Sequence, residues 1–291
     1  MKDVLVIGGS GFLGSHVADK LSDNGYQVTI YDVRKSEYLR NDQEMIVGTI
    51  SDNDLLDSSI QGKDFVYHFA GIADIKESTM DPVKTMSINV MCTTQIIDLC
   101  VKYKVNRFMY ASTIYVYSNQ GSFYKTSKQC CELIIENYVK SFNIKATIMR
   151  FGSLYGIRAN HFNSIKKMLI QAINERKIVR TGDGEEVRDY IHITDAAETS
   201  VKLLNSKADI EYVMITGNQT LKIKDIVNMI NEMMNNELEI IYTKDTQKEH
   251  YHITPYNFKP NIAKKYNIDY THDLGQGILE SIYSIYEDIN S

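Results

Sequence analysis

The sequence predicts an α/β protein: a doubly wound parallel sheet carrying a smaller α+β lobe in its C-terminal half. Three observations lead there. Short Val- and Ile-rich runs alternate with helix-periodic stretches through the first half of the chain. The first run ends in G-G-S-G-F-L-G and opens directly into a helical pattern. After Gly156 the alternation breaks down, as it does where a chain leaves a sheet to build a second lobe. The division this implies assigns residues 1–155 and about 189–216 to the sheet domain, and about 156–188 and 217–291 to the lobe.

The elements follow in order. Lys2 to Ile7 has the continuous apolar character of a strand buried on both faces, and a helix follows from Phe12 to Asn24. Between them Gly8, Gly11 and Gly14 stand at G-x-x-G-x-x-G spacing: the first allows a tight turn, the second close approach to a pyrophosphate, the third tight helix–strand packing. The helix N-terminus, with Phe12 and Leu13 in its first turn, then faces the phosphates. The next strand, Gln27 to Tyr31, ends at Asp32, whose carboxylate can accept from ribose hydroxyls and repels a 2′-phosphate. This is the Rossmann pattern, and it favours NAD; Arg34 and Lys35 nearby keep NADP as the less favoured alternative.

Met45 to Val47 reads as a third strand, Asp54 to Ile60 as a short helix, and Lys63 to Phe69 as a fourth strand running into H-F-A-G-I-A-D. Phe69, Ala70 and Gly71 lie at the carboxyl end of that strand, where a dinucleotide passes close to the backbone, and His68 between apolar neighbours reads as a packed core residue. A long helix is expected from Val83 to Tyr103, with Asn89 on it, and a strand from Arg107 to Ala111 delivers Ser112 and Thr113 to the same edge. Tyr124 and Lys128 then follow four residues apart, which on a helix places them one turn apart on one face. An ammonium beside a phenol favours the phenolate, and such a tyrosine can take or give a proton at a hydroxyl.

In the second half, Phe162 to Glu175 has apolar residues at helical spacing (Ile165, Met168, Leu169, Ala172, Ile173), read as packing. Ile178 to Arg180 and the stretch after Gly182 to Gly184 read as a hairpin-like return. A helix from Asp195 to Leu204, a strand from Tyr212 to Thr216 rejoining the sheet, a helix from Leu221 to Met234 and a strand from Glu239 to Tyr242 complete the pattern.

Composition excludes several classes. A net charge of −5 without a basic block argues against nucleic acid or an anionic membrane as partner. No run of about 18 apolar residues occurs and the N-terminus has no leader pattern, so a cytoplasmic protein is expected. Cys92, Cys100, Cys130 and Cys131 form no C-x-x-C pair and no spacing with histidines that would hold zinc, so no metal site is expected and the thiols read as reduced and structural.

The ordered set G-G-S-G-F-L-G, Asp32, H-F-A-G, I-N-V around Asn89, S-T-I-Y-V-Y, Tyr124 with Lys128, R-F-G-S-L-Y-G from Arg150 and R-D-Y-I-H-I-T-D from Arg188 resembles the extended short-chain dehydrogenase/reductase family, in its nucleotide-sugar epimerase, dehydratase and reductase branch. The resemblance implies that Tyr124 is the acid/base, that Lys128 lowers its pKa and binds the nicotinamide ribose, and that Thr113 hydrogen-bonds the reacting hydroxyl or carbonyl. It implies cofactor contacts at Asn89, Phe151, Ile50 and Thr49, the last standing where many relatives carry an acidic residue against adenine; it implies substrate contacts at Arg188, on a diphosphate, and at Ser153, where relatives often carry an asparagine, so that the contact there is shortened or replaced.

Departures narrow the reaction. The family's 4,6-dehydratases carry an Asp-Glu pair where this chain has Ile114 and Tyr115, and the enzymes that epimerise at C3 and C5 place a cysteine at Thr113. Chemistry at C4 of a nucleotide-activated sugar survives: 4-epimerisation, 4-oxidation or reduction of a 4-keto sugar. Relatives supply a second diphosphate arginine after the first, but no arginine follows Arg188, which leaves Lys244, Lys248 or Lys259 as substitutes. The helices at about Val83 to Tyr103 and Tyr124 to Phe142 resemble those that pair across a family dimer as a four-helix bundle, and with apolar residues beyond the needs of one sheet face (Ile96, Ile97, Leu99, Leu133, Ile134, Val139) a homodimer is expected. Two alternatives are a reductase of a non-sugar carbonyl and a dinucleotide-binding sensor without turnover; the intact Thr113, Tyr124 and Lys128 argue against the sensor.

Overall fold

The computed structural model describes residues 1–217 and 220–243. From the N-terminus, β1 (Asp3–Ile7), α1 (Phe12–Asp23), β2 (Gln27–Asp32), β3 (Gln43–Val47), α2 (Asn53–Ile60) and β4 (Phe65–His68) alternate as the hydrophobic pattern dictates. Three helices follow, α3 (Ile75–Met80), α4 (Pro82–Met86) and α5 (Cys92–Lys102), with a π turn over Ser87–Met91 joining the last two. The chain continues through β5 (Arg107–Thr113), a 3-10 turn (Ile114–Tyr117), α6 (Ser122–Phe142) and β6 (Ala146–Phe151).

Beyond the sheet lie β7 (Ser153–Tyr155), α7 (Ser164–Glu175), β8 (Lys177–Thr181), β9 (Val187–His192) and α8 (Ile193–Lys202). Then come β10 (Ile210–Ile215), β11 (Thr220–Lys222), α9 (Ile223–Met233) and β12 (Glu239–Thr243). The main sheet has seven strands in the order β10-β6-β5-β4-β1-β2-β3, and each neighbouring pair is parallel. The order reverses between β1 and β4, which opens a crevice at their carboxyl ends.

Alternation along the strands splits the core in two. Leu5 and Ile7 of β1, Phe108 and Tyr110 of β5 and Ile148 of β6 face α2, α5 and α6. Val4 and Val6, Met109 and Met149 face α1 and α8 instead. With both faces covered, a strand profits from an unbroken apolar run, each fully buried Val, Leu or Ile contributing roughly 1.5–3 kcal/mol. A third, separate core joins Met168 and Ala172 of α7, Ile178 of β8, and Ile223, Val227 and Ile230 of α9.

Four expectations need correction. The expected single helix from Val83 to Tyr103 is interrupted by the π turn, and α3 precedes it, started by the Asp74 carboxylate accepting from Glu77 N–H. The strands before and after Gly182–Gly184 do not form a hairpin: β8 pairs with β12, and β9 with β7 and β11. Both glycines have positive φ (+98° and +75°), and the turn they make passes the chain between sheets. Ile96 and Ile97, counted as surplus for a partner, are fully buried in the core under the sheet; of the residues named for that interface, Leu133 is the one largely exposed, at 61%. In α7, Met168 and Ala172 pack inward as expected, whereas Leu169 and Ile173 are exposed.

Candidate active site

The turn after β1 has the geometry its glycines require. Gly8 has φ +83°, and a Cβ there would lie 2.5 Å from Ala70 N; a Cβ on Gly14 would overlap the Gly8 carbonyl oxygen. Thus β1, α1 and the end of β4 come together only without side chains at these positions. No side chain caps α1 at Gly11, and its first turn holds no acidic residue. Across the turn, the Asp32 carboxylate is fixed by Ser10 N–H at 3.0 Å and Arg34 N–H at 3.1 Å. Phe69 and Ala70 both donate their N–H to the Ile7 carbonyl, at 2.8 and 3.2 Å. An uncapped helix end beside a bare glycine turn, facing a held carboxylate, fits a dinucleotide with its pyrophosphate on the helix N-terminus.

Thr49 is exposed and Ile50 buried beside this strand edge. The Thr49 hydroxyl shares a hydrogen bond with Ser51 (2.8 Å), while its carbonyl accepts from Tyr31. Asp52 is spent capping α2 through Leu55 N–H. Asn89, in the π turn, is buried and fully engaged: its Oδ1 accepts from Ile72 N–H (2.8 Å), and its amide donates to Ile72 O and Ser127 Oγ (2.9 Å each). It holds the loop after β4 against α6.

Thr113 ends β5, 5% exposed, and its Oγ accepts from Tyr115 N–H at 3.2 Å, leaving the hydroxyl proton to point elsewhere. Tyr124 is in the first turn of α6, whose N-cap Gly121 offers no side chain. Its backbone is held at both ends: its N–H donates to Ser78 Oγ of α3 (3.2 Å) and its carbonyl accepts from Ser127 Oγ (2.8 Å). One turn on, Lys128 is 6% exposed, its Nζ donating to Ala111 O (2.8 Å) and lying 4.8 Å from the Tyr110 ring centre and 6.0 Å from that of Tyr124. Burial pulls this ammonium down from 10.5 to about 8, with the Cys131 thiol and Glu132 carboxylate acting the other way. Behind it, Glu132 takes Ser112 Oγ at 2.5 Å and both Nε and NH2 of Arg150, at 3.0 and 2.6 Å. Burial drives His68 down to about 3, which suits a neutral ring bonded to Thr93 Oγ (2.9 Å), and all four cysteines are free, three of them buried.

A cavity of about 580 Å³ joins these groups to the lobe. Thr113, Tyr124, Phe151, Ser153 and Arg188 all line it. The glycine-turn residues and Asp32 lie outside it, along the crevice. Lys244, Lys248 and Lys259 fall outside the described residues. Sequence reasoning missed Ser78 and Ser127, which fix the Tyr124 backbone, and Arg180, Glu186 and Tyr190, which line the cavity. T-S-K, with Ser127 beside Lys128, and R-D-Y-I-H-I-T-D, which contains Tyr190, carry a signal; Ser78 belongs to a stretch with no expected element, and Arg180 and Glu186 to the expected hairpin. Among the described residues no cluster of metal-ligating groups occurs and no helix is long and apolar enough to cross a membrane.

A doubly wound sheet with a bare glycine turn between its first strand and helix is the architecture of dinucleotide-dependent enzymes. The chain belongs to the NAD dependent epimerase/dehydratase family, whose model matches residues 4–215. It is 29% identical over 272 residues to a Methanocaldococcus jannaschii protein provisionally named a UDP-glucose 4-epimerase, covering 86% of this chain and 88% of that one. It is 26% identical over 232 residues to the dTDP-D-glucose 4,6-dehydratase of Dictyostelium discoideum, covering 67% of this chain and 54% of the relative. The UDP-glucose 4-epimerase of Thermotoga maritima, solved with UDP-glucose, superposes with a TM-score of 0.81 at 23% identity, over 88% of this chain and 90% of that one.

Proposed function

We propose that the protein is an NAD-dependent oxidoreductase acting at C4 of a nucleotide-activated sugar, as a 4-epimerase, 4-dehydrogenase or 4-keto reductase. The observation that carries this reading is a single cavity with Tyr124 and Thr113 on its sheet side and Arg188 on its lobe side. Proton-handling groups then face the ring while a cation waits where a diphosphate would follow it. When bound, NAD accepts or returns the hydride at C4. Gly8, Gly11, Phe12, Leu13 and Gly14 would hold its pyrophosphate and Asp32 its adenosine ribose.

In this reading the Tyr124 phenol oxygen takes the C4 hydroxyl proton during oxidation and returns it during reduction. The Thr113 hydroxyl hydrogen-bonds the same oxygen, fixing the ring for transfer. Lys128, kept in place by Ala111 O, supplies positive charge behind the phenol. Ile114 is buried and Tyr115 lines the cavity, and neither carries a carboxylate for eliminating water. The residues 1–155 and about 189–216 serve the dinucleotide, and the third core belongs to the substrate lobe. A homodimer through the π turn, α5 and α6 is supported by Met91 at the end of the turn and by Leu133 and Phe142 of α6, each more than half exposed; sedimentation tests it.

The deciding experiment incubates the protein with UDP-, GDP-, dTDP- and CDP-sugars while NADH absorbance and sugar products are followed. A C4 epimer without net NADH identifies a 4-epimerase; stoichiometric NADH identifies a dehydrogenase. Binding of NAD without binding of any sugar nucleotide would refute the proposal. Tyr124→Phe should lower turnover by a factor of about 10²–10⁴ while NAD binding persists.

A further inference from the structure

Arg180 stands on β8 and Arg188 on β9, strands of different sheets, yet both side chains reach the wall of the same cavity. Arg40, Arg107, Arg150 and Arg158 are committed elsewhere, to Asp23 and Asp42, to backbone carbonyls, to Glu132 and to Asp19. Glu186 and Tyr190 line the same cavity beside the two arginines.

The attachment of Arg180 is incomplete. Its NH2 meets Glu186 Oε1 at 3.2 Å, with the side chains only 19% and 11% exposed. Its Nε is buried without a partner, and so is Glu186 Oε2. An arginine fork can offer a carboxylate two parallel N–H groups, and this pair uses a single contact. The Nε and Oε2 face away from solvent, while the Arg180 side chain as a whole stays 19% exposed in a residue that lines the cavity, so its remaining N–H groups can meet an anion there.

We propose that Arg180, oriented by Glu186, is a second cationic anchor opposite Arg188 for the diphosphate of a nucleotide-activated substrate. This rests on the functional reading above. It assigns the role that lysines beyond residue 243 were expected to fill to an arginine preceding Arg188 in the chain. Glu186 is a positioning residue: it keeps the guanidinium at the wall, and its negative charge opposes the incoming anion.

Isothermal titration with UDP, GDP, CDP and dTDP, and with each matching nucleoside, tests the assignment on wild type and on Arg180→Ala, Arg180→Lys and Glu186→Gln. Arg180→Ala should weaken the best-bound diphosphate about tenfold to a hundredfold and leave the nucleoside within about twofold. Arg180→Lys should recover part of that loss, and Glu186→Gln should tighten the diphosphate a few-fold. Equal loss for nucleoside and diphosphate, or no loss for either, overturns the assignment. If Arg180→Ala does not fold, Glu186→Gln decides, since unchanged or weaker diphosphate binding overturns it. If the wild type binds no nucleotide at all, the functional reading has failed by itself, and inorganic pyrophosphate becomes the probe. Pyrophosphate binding that Arg180→Lys weakens supports the anion site, and its absence in the wild type overturns it.

Discussion

Replacing Lys128 by Met should stabilise the ligand-free protein at neutral pH while removing its turnover. The ammonium is buried, and burial pulls it down from 10.5 to about 8, which sets the scale of the cost of keeping it charged in the fold. At about 1.4 kcal/mol per pH unit this is about 3 kcal/mol. Methionine keeps the stem's volume but leaves the Ala111 carbonyl without its donor, which costs about 1 kcal/mol. The net gain at pH 7 is therefore about 2 kcal/mol.

The pH dependence separates this cause from simple repacking. Below about pH 8 the lysine is protonated in both folded and unfolded chains, and the full cost is present. Between about 8 and 10.5 the folded protein sheds the proton first, so wild-type stability from this group rises with pH and levels off above 10.5. The variant lacks that rise. Urea unfolding of both proteins should show the advantage of Lys128→Met shrinking to about zero by about pH 9.5. A variant less stable than wild type at neutral pH, by a margin that does not change with pH, would refute the reasoning.

Asn89→Ala removes three buried hydrogen bonds and strands the Ile72 N–H, so a loss of about 2–4 kcal/mol is expected in chemical denaturation. Glu132→Gln leaves the Arg150 guanidinium without its buried counter-charge and should cost about 3–5 kcal/mol, seen as a lowered Tm. Asp32→Ala frees Ser10 N–H and Arg34 N–H and removes the charge that repels a 2′-phosphate. Fluorescence titration should show NAD weakened and NADP strengthened, each by about tenfold or more.

The parts that were legible in the chain are those where one physical demand has one short solution. A turn between β1 and α1 that admits no side chain needs glycines at 8 and 14, and two side chains on one helix face need spacing such as Tyr124 to Lys128. The misread parts depend on choices made far away in sequence. Gly182 and Gly184 announce a change of direction but not which strand the chain joins next, so the pattern suggests pairing β8 with β9 although their partners are β12, β7 and β11. Arg180 was hidden by the same error, because its place on a cavity wall follows from that pairing. Ile96 and Ile97 looked surplus because a periodic pattern counts apolar residues without saying how deep the sheet above them lies.

The π turn at Ser87–Met91 has a consequence for how this chain can vary. A π turn takes in one more residue than an α-helical turn with little net change in the rotation between its two ends. Upstream, Thr85 is seated on the Ser78 and Asp81 carbonyls; downstream, Ile96, Ile97 and Cys100 are locked into the core. Deleting one residue of the turn would therefore return a continuous α-helix with both of these seats nearly unchanged, and the cost would fall inside the turn. Asn89 sits there, and its three bonds to Ile72 and Ser127 depend on where the wide turn holds it, so the extra residue serves a local contact and not the alignment of the two helices.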